Sequence, residues 1–158
     1  LTCGDRKIGQ GAEPSVYLRL DGLQVIKTND AIMHGSWFEF FNRLALHNWI
    51  FPETAYELVG FTEIDKNALA AIVSQQYLFG DKGAIREEVE SDMLLRGFRR
   101  TRNDDYYHSE LGIIIEDLHD ENVLRTAIPG LLLYFDPILY PETPDMKLNG
   151  PNQYRFPF

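Results

Sequence analysis

Ile113-Ile114-Ile115-Glu116-Asp117-Leu118-His119-Asp120-Glu121-Asn122-Val123-Leu124 is the most informative stretch of the chain. An apolar run delivers Asp117, Asn122 follows five positions later, and Val123-Leu124 resumes the apolar pattern. Fourteen positions beyond Asn122, the apolar Leu131-Leu132-Leu133-Tyr134-Phe135 delivers a second acid, Asp136. Phosphoryl transfer needs such a set. One carboxylate orients the nucleophile or takes its proton, while an amide oxygen and a second carboxylate hold Mg²⁺ on the phosphates. The short loop between Asp117 and Asn122 keeps base and metal ligand on one side of a cleft. The plain alternative for Glu116, Asp120 and Glu121 is a solvated turn, and for Asp136 an acid capping a turn before Pro137. A carboxylate among large apolar residues is costly unless paired or metal-bound, which favours a role for Asp136. His119 reads as a histidine that stabilises its own loop through backbone hydrogen bonds.

Upstream lies a matching half. Gly9-Gln10-Gly11 falls between strand-like segments, where glycines let backbone amides approach phosphates without a side-chain clash. Val25-Ile26-Lys27 places a lysine near a strand end sixteen residues after Gly11. A lysine on a strand that otherwise alternates toward the core can bind α/β-phosphate oxygens. Such a lysine is usually held by a helix glutamate, and Glu39 is the only acid between Ala31 and Phe51. The alternatives are a solvated strand end for Lys27 and, for Glu39, a surface pair with Arg43 on a polar helix side shared with His47.

The remaining pattern is α+β. Residues 5–20 read as two strands joined by a glycine turn, Leu23 to Lys27 as a third after the tight-turn pair Asp21-Gly22. Ser36 caps a helix through about Ile50, with Trp37, Phe40, Phe41, Leu44 and Phe51 on one face. Tyr56 to Ile64 and Leu69 to Tyr77 are two more strands, separated by a turn at Asp65-Lys66-Asn67. Phe79-Gly80-Asp81-Lys82-Gly83 reads as a hinge, and Ile85 to Arg96 as a charged helix that Gly97 ends. Tyr106 to Ile115 is strand-like as one run, and Leu131 to Phe135 is a short buried strand. From Pro141 onward there are four of the eight prolines and no helical period.

Composition bounds the reading. At 158 residues with 44% hydrophobic content the chain can bury a core, which excludes a disordered tail. A net charge of −9 argues against nucleic-acid binding through a broad basic face. The most apolar stretch, Ile128 to Tyr140, is cut by Pro129, Asp136 and Pro137, so no membrane-spanning segment is expected. The single cysteine, Cys3, suits a reducing compartment, and a cytoplasmic protein is expected. Its place outside any flanking site argues against a nucleophile. The other histidines, His34, His47 and His108, show no metal-ligand spacing.

With glycine-rich turn, strand lysine, helix glutamate, hinge, Asp-x-x-x-x-Asn loop and second Asp in this order, the chain resembles the protein-kinase-like superfamily over nearly its whole length. Asp117-Leu118-His119 is more similar to small-molecule and antibiotic phosphotransferases than to eukaryotic protein kinases. A narrower resemblance rests on Leu46-His47-Asn48 through Phe51-Pro52-Glu53-Thr54, Gly60-Phe61-Thr62, Gln75-Gln76-Tyr77, Gly97-Phe98 and Asp117 through Leu124. These are similar to the kinase domain of polyvalent proteins of phages and conjugative elements. Those are long multi-domain chains of mobile genetic elements, and a start at Leu1 without an initiator Met fits an excised piece of one.

The resemblance implies a compact kinase-like fold as a single domain over 1–158. Its parts are a β-rich N-lobe of about 1–78 with one main helix, a hinge at about 77–83 and an abbreviated C-lobe from about 84. It implies ATP and Mg²⁺ as cofactors, with Gly9 and Gly11 over the nucleotide phosphates, Lys27 contacting them and Glu39 orienting Lys27. Asp117 would be the catalytic base, Asn122 and Asp136 the metal ligands, and Gln75, Gln76 and Tyr77 the adenine-facing hinge. The expected activity is phosphoryl transfer to a protein hydroxyl. The alternatives are an inactive nucleotide-binding or protein-interaction module and a small-molecule phosphotransferase; neighbouring domains of a longer chain are expected partners. The sequence departs from the protein-kinase pattern at three points. A third glycine is replaced in the Glu13-Pro14-Ser15 region, the His-Arg pair before the catalytic Asp is Ile115-Glu116, and Pro137 follows Phe135-Asp136. Only 22 residues follow Asp136, too few for a long activation segment.

Overall fold

Period-two alternation of apolar residues in the first half of the chain closes into one antiparallel sheet. A computed structural model describes residues 6–9, 15–31, 34–65, 68–78 and 82–143. The expected glycine turn at Gly11, the turn at 66–67, hinge positions 79–81, Cys3 and the chain from 144 onward lie outside the described residues. Two compact units result, residues 1–78 and 79–158.

The first unit holds strands β1 (Arg6–Gly9), β2 (Val16–Leu18), β3 (Gln24–Asn29), β4 (Tyr56–Asp65) and β5 (Ala68–Gln76), in the order β1-β2-β3-β5-β4. Helix α1 (Trp37–Ile50) crosses from β3 to a 3₁₀ turn at Pro52–Thr54. Its start is set by Ser36, whose Oγ accepts the Glu39 N–H at 3.1 Å. Apolar residues at helical spacing then decide which side it buries. Phe40 packs with Ala31, Ala71 and Val73, flanked by Trp37, Phe41, Leu44 and Tyr56. Trp37 meets Phe40 and Phe61 edge-on, each at 5.8 Å between centroids, a geometry the ring quadrupoles favour.

One polar group is inside that unit for a specific reason. His47, which a helical wheel puts on the solvated side with Arg43, is only 2% exposed. The 3₁₀ turn folds back beneath it, so that His47 Nε2 lies 3.0 Å from both the carbonyl and the hydroxyl of Thr54. Gln75, also buried, donates to the same carbonyl at 2.6 Å. Buried polar groups satisfied in this way specify one arrangement rather than several.

The second unit has strands β6 (Lys82–Gly83), β7 (Arg99–Arg100), β8 (Tyr106–His108), β9 (Ile113–Glu116), β10 (Val123–Arg125), β11 (Leu132–Tyr134) and β12 (Ile138–Pro141), with helix α2 (Arg86–Leu95). They form two antiparallel sheets, β11-β10-β6 and β12-β9-β8-β7. The run Tyr106 to Ile115, expected as one strand, is instead a hairpin of β8 and β9. Gly112 sits in its turn at φ +61°, a conformation that suits glycine. Edge strand β7 exposes Arg99 and Arg100, charges that discourage pairing with another chain. Helix α2 ends as Gly97 predicts. Gly97 N–H bonds Leu94 O at 3.0 Å and Phe98 N–H bonds Met93 O at 2.9 Å, with Met93 and Phe98 both buried.

Helix α2 is tied to the first of these sheets by two charged contacts. Glu88 Oε2 accepts from Arg125 Nη2 at 2.7 Å, and this bond holds the Glu88 carboxyl below its ordinary range. Asp92 accepts from the buried Tyr134 hydroxyl at 2.7 Å. Burial first, then that bond, pushes the Tyr134 hydroxyl well above its ordinary value. Burial likewise pushes Tyr106 up to about 12. No helix among the described residues is long and apolar enough to cross a membrane.

His34, between β3 and α1, packs against Phe40 at 5.1 Å and its titration is depressed by burial and then by Arg43. A folded pKa below the unfolded value near 6.5 means the unfolded chain binds more protons. His34 therefore contributes full stability above pH 6.5, and that contribution falls as pH drops below it. Urea midpoints for wild type and His34→Gln should converge between pH 7.5 and pH 5; a gap independent of pH would contradict this.

Candidate functional site

In the second unit, strand pairing brings three predicted residues to one place. Strands β10 and β11 pair with Val123 opposite Tyr134, and Phe135 N–H continues the ladder onto Asn122 O at 3.0 Å. Asn122 thus sits beside Phe135, one residue from Asp136. Strands β9 and β12 pair with Glu116 opposite Ile138, which puts Asp117 and Asp136 at the matching end of the second ladder. Residues 135–137 are the link that carries the chain from one sheet to the other. Asp117, Asn122 and Asp136 therefore share one corner, although nineteen positions separate the first from the last.

Backbone conformation marks the same two acids. Asp117 has φ +67° and Asp136 has φ +58°, two of the four non-glycine residues in the left-handed region among those described. Aspartate tolerates this region better than most residues, yet each instance costs on the order of 1 kcal/mol and concentrates at functional sites.

Asn122 holds Asp117, and the His119 ring stands beside its carboxylate. Asn122 Nδ2 donates to Asp117 O at 2.9 Å and to Asp117 Oδ2 at 3.1 Å. His119 Nδ1 accepts the Glu121 N–H at 3.1 Å. Its Nε2 lies 3.2 Å from Asp117 Oδ1 and 3.3 Å from Asn122 Nδ2. His119 does stabilise its loop through the backbone, as the sequence suggests. The closeness of its other nitrogen to Asp117 was missed, although the Asp-x-His spacing in a tight loop was the available signal. Gly83 has a steric role here: a Cβ on it would overlap the Asp120 carbonyl, so β6 packs directly on this loop.

In the first unit, Lys27 stands opposite Val73, and Tyr56 opposite Gln75. Paired residues share a face, and Val73 and Tyr56 belong to the α1-packed cluster, so Lys27 is on that face too. Lys27 Nζ donates to Tyr56 Oη at 3.2 Å and lies 5.1 Å from its ring centroid. Tyr56 carried no signal in the sequence, since strand packing alone accounts for an aromatic residue there. Glu39 is in the first turn of α1 and exposed. Its carboxylate oxygen is 2.9 Å from where a Cβ on Gly35 would stand. No ion pair joins it to Lys27 among the described residues.

Gly9 ends β1 opposite Val16, next to an irregularity in the register. Gln75 is committed to the Thr54 carbonyl, Gln76 is exposed at the end of β5, and Tyr77 N–H donates to Leu23 O at 2.8 Å.

For a metal, the described residues contain no cluster of three or more His, Cys, Asp or Glu. Mg²⁺ does not require one, because it usually takes one or two carboxylates and completes its shell with water and phosphate. The hard oxygens of Asn122 and Asp136 fit that demand. The bonds from Asn122 Nδ2 to Asp117 make its carbonyl oxygen the end suited to a cation.

Over residues 3–143 the chain matches the family described as a serine/threonine/tyrosine kinase found in polyvalent proteins, and it belongs to that family. No curated protein and no solved structure matches it.

Asn122→Leu keeps the branched shape and deletes both bonds to Asp117. A loss of about 1 kcal/mol in chemical denaturation is expected. Faster hydrogen exchange is expected at the Asn122 amide, which bonds His119 O at 2.9 Å. Unchanged exchange there would show that the loop is held by other contacts.

Proposed function

We propose that this chain is an ATP- and Mg²⁺-dependent phosphotransferase that modifies a hydroxyl on a protein. The observation that carries the reading is the joint placement of Asp117, Asn122 and Asp136 at one corner by two independent ladders. Membership of a kinase family supports the reaction class. Asp117 is the group that orients the acceptor hydroxyl and takes its proton, and the Asn122 side chain bonds both its carbonyl and its carboxylate. Asn122 and Asp136 would hold Mg²⁺, which supplies charge neutralisation on the phosphates when bound. Lys27 contacts the phosphates, Gly9 and Gly11 cover them, and residues 75–77 border the adenine. Catalysis of this kind is positioning and electrostatic stabilisation more than covalent chemistry. The single cysteine suits a reducing compartment, so action in the cytoplasm as one domain of a longer mobile-element chain is part of the proposal.

A second reading, a nucleotide-binding or interaction module without transfer, is favoured by one observation. Glu39, the glutamate expected on Lys27, lies in the first turn of α1 instead. Thermal-shift titration with Mg-ATP and radiolabel transfer to lysate proteins separate the two. Saturation at 100 Kd should add about 2.7 kcal/mol of stability. Asp136→Asn should weaken Mg-ATP binding, while Asp117→Asn should bind normally and transfer nothing. Equal transfer by wild type and Asp117→Asn would remove Asp117 from its role; binding without transfer by wild type would establish the module.

A further inference from the structure

The lysine of the first unit has a partner that the expected helix glutamate does not explain. Lys27 Nζ is 3.2 Å from Tyr56 Oη, and the ammonium is 5.1 Å from the same ring, so one side chain offers it both a hydroxyl acceptor and a π face. Both contacts hold the ammonium at a defined position. Tyr56 reaches it across β5, on the α1 face of the sheet.

Tyr56 is itself over-determined. The Asn48 side chain pairs with its backbone in both directions, Nδ2 donating to Tyr56 O at 2.7 Å and Oδ1 accepting Tyr56 N–H at 2.8 Å. Its ring meets the His47 ring edge-on at 4.8 Å, and His47 is anchored by Thr54. Asn48 and His47 occupy the last turn of α1, at the opposite end from Glu39. A path of contacts therefore runs from the C-terminal turn of α1 through Tyr56 to Lys27, while Glu39 stands in the first turn.

We propose that Tyr56 is the positioning residue for Lys27, so that α1 sets the lysine through Asn48, His47 and Tyr56. The proposal rests on the nucleotide reading only for the consequence of that positioning. Lys27 orientation acts on phosphate and leaves the nucleoside alone. Tyr56→Phe retains the ring, its packing on His47 and the π face, and removes only the hydroxyl. Tyr56→Leu removes all three.

The experiment has two arms. In nucleotide-free protein, NMR relaxation at the Lys27 ε-carbon should report a loss of order in Tyr56→Phe, a greater loss in Tyr56→Leu and a smaller one in Glu39→Gln. In titrations, Tyr56→Phe should weaken Mg-ATP about tenfold while adenosine binds as in wild type. In a Lys27→Met background, Tyr56→Phe should produce no further loss. Lys27 order unaffected by Tyr56→Phe, or affected more by Glu39→Gln, overturns the proposal. So does a parallel fall in ATP and adenosine affinity, which a merely structural tyrosine would cause. If wild type binds neither ligand, the nucleotide reading fails, while the relaxation arm still decides whether Tyr56 orders Lys27.

Discussion

The registers of two short ladders govern which residues come together in the second unit. Glu116 opposite Ile138 and Val123 opposite Tyr134 make the same three-residue link, 135–137, the end of one sheet and the start of another. Asp117 and Asn122 are the flanks of the loop that faces this link, so neither can move far without breaking a ladder. The buried side chains that fix these strands are Ile115, Val123, Tyr134 and Leu139, each no more than 1% exposed. A slip of one residue in either ladder would turn these side chains outward, which is why the register is strongly specified. The left-handed conformations of Asp117 and Asp136 are sustained by this framework rather than by local preference.

In the first unit the corresponding constraint is polar. The last turn of α1 and the 3₁₀ turn after it are joined by His47, Thr54 and Gln75, all buried, and Asn48 fastens the start of β4. None of the fully buried side-chain polar atoms of these residues lacks a hydrogen-bond partner, so the arrangement avoids the penalty of an unsatisfied buried group. Its effect is to hold Tyr56 where a lysine on β3 can meet it. A kinase-family fold can thus keep its strand lysine ordered by an aromatic hydroxyl anchored to the end of the helix.

Much of this was legible in the chain and some was not. Helix α1 was readable from Ser36 and the spacing of Trp37, Phe40, Phe41 and Leu44, because capping and amphipathic period are local properties. The five strands of the first sheet were readable from alternation. Strands β6, β7, β10 and β12, of two to four residues, carry too little pattern to be seen alone and exist because a neighbour pairs with them. The hairpin of β8 and β9 read as one run because its turn, 109–112, is as short as a strand irregularity. His47 was misassigned because a helical wheel cannot register the turn that folds beneath it.

The residue types and order of a phosphotransferase were written in the sequence itself. The Asp117, Asn122 and Asp136 spacings, the lone Glu39 on its helix and Lys27 on its strand needed no coordinates. These are statements about neighbours along the chain, where a few residues set both conformation and chemistry. Which group meets Lys27, and what holds Asp117 in place, only the tertiary structure decided. Tyr56 and Lys27 are twenty-nine positions apart, and their contact depends on the order β3-β5-β4 and its register. Asp117 and Asp136 fall at the same end of one ladder because two sheets share a link. Contacts of this kind depend on pairings between distant segments, and a shift of one residue would reverse the face that each side chain takes.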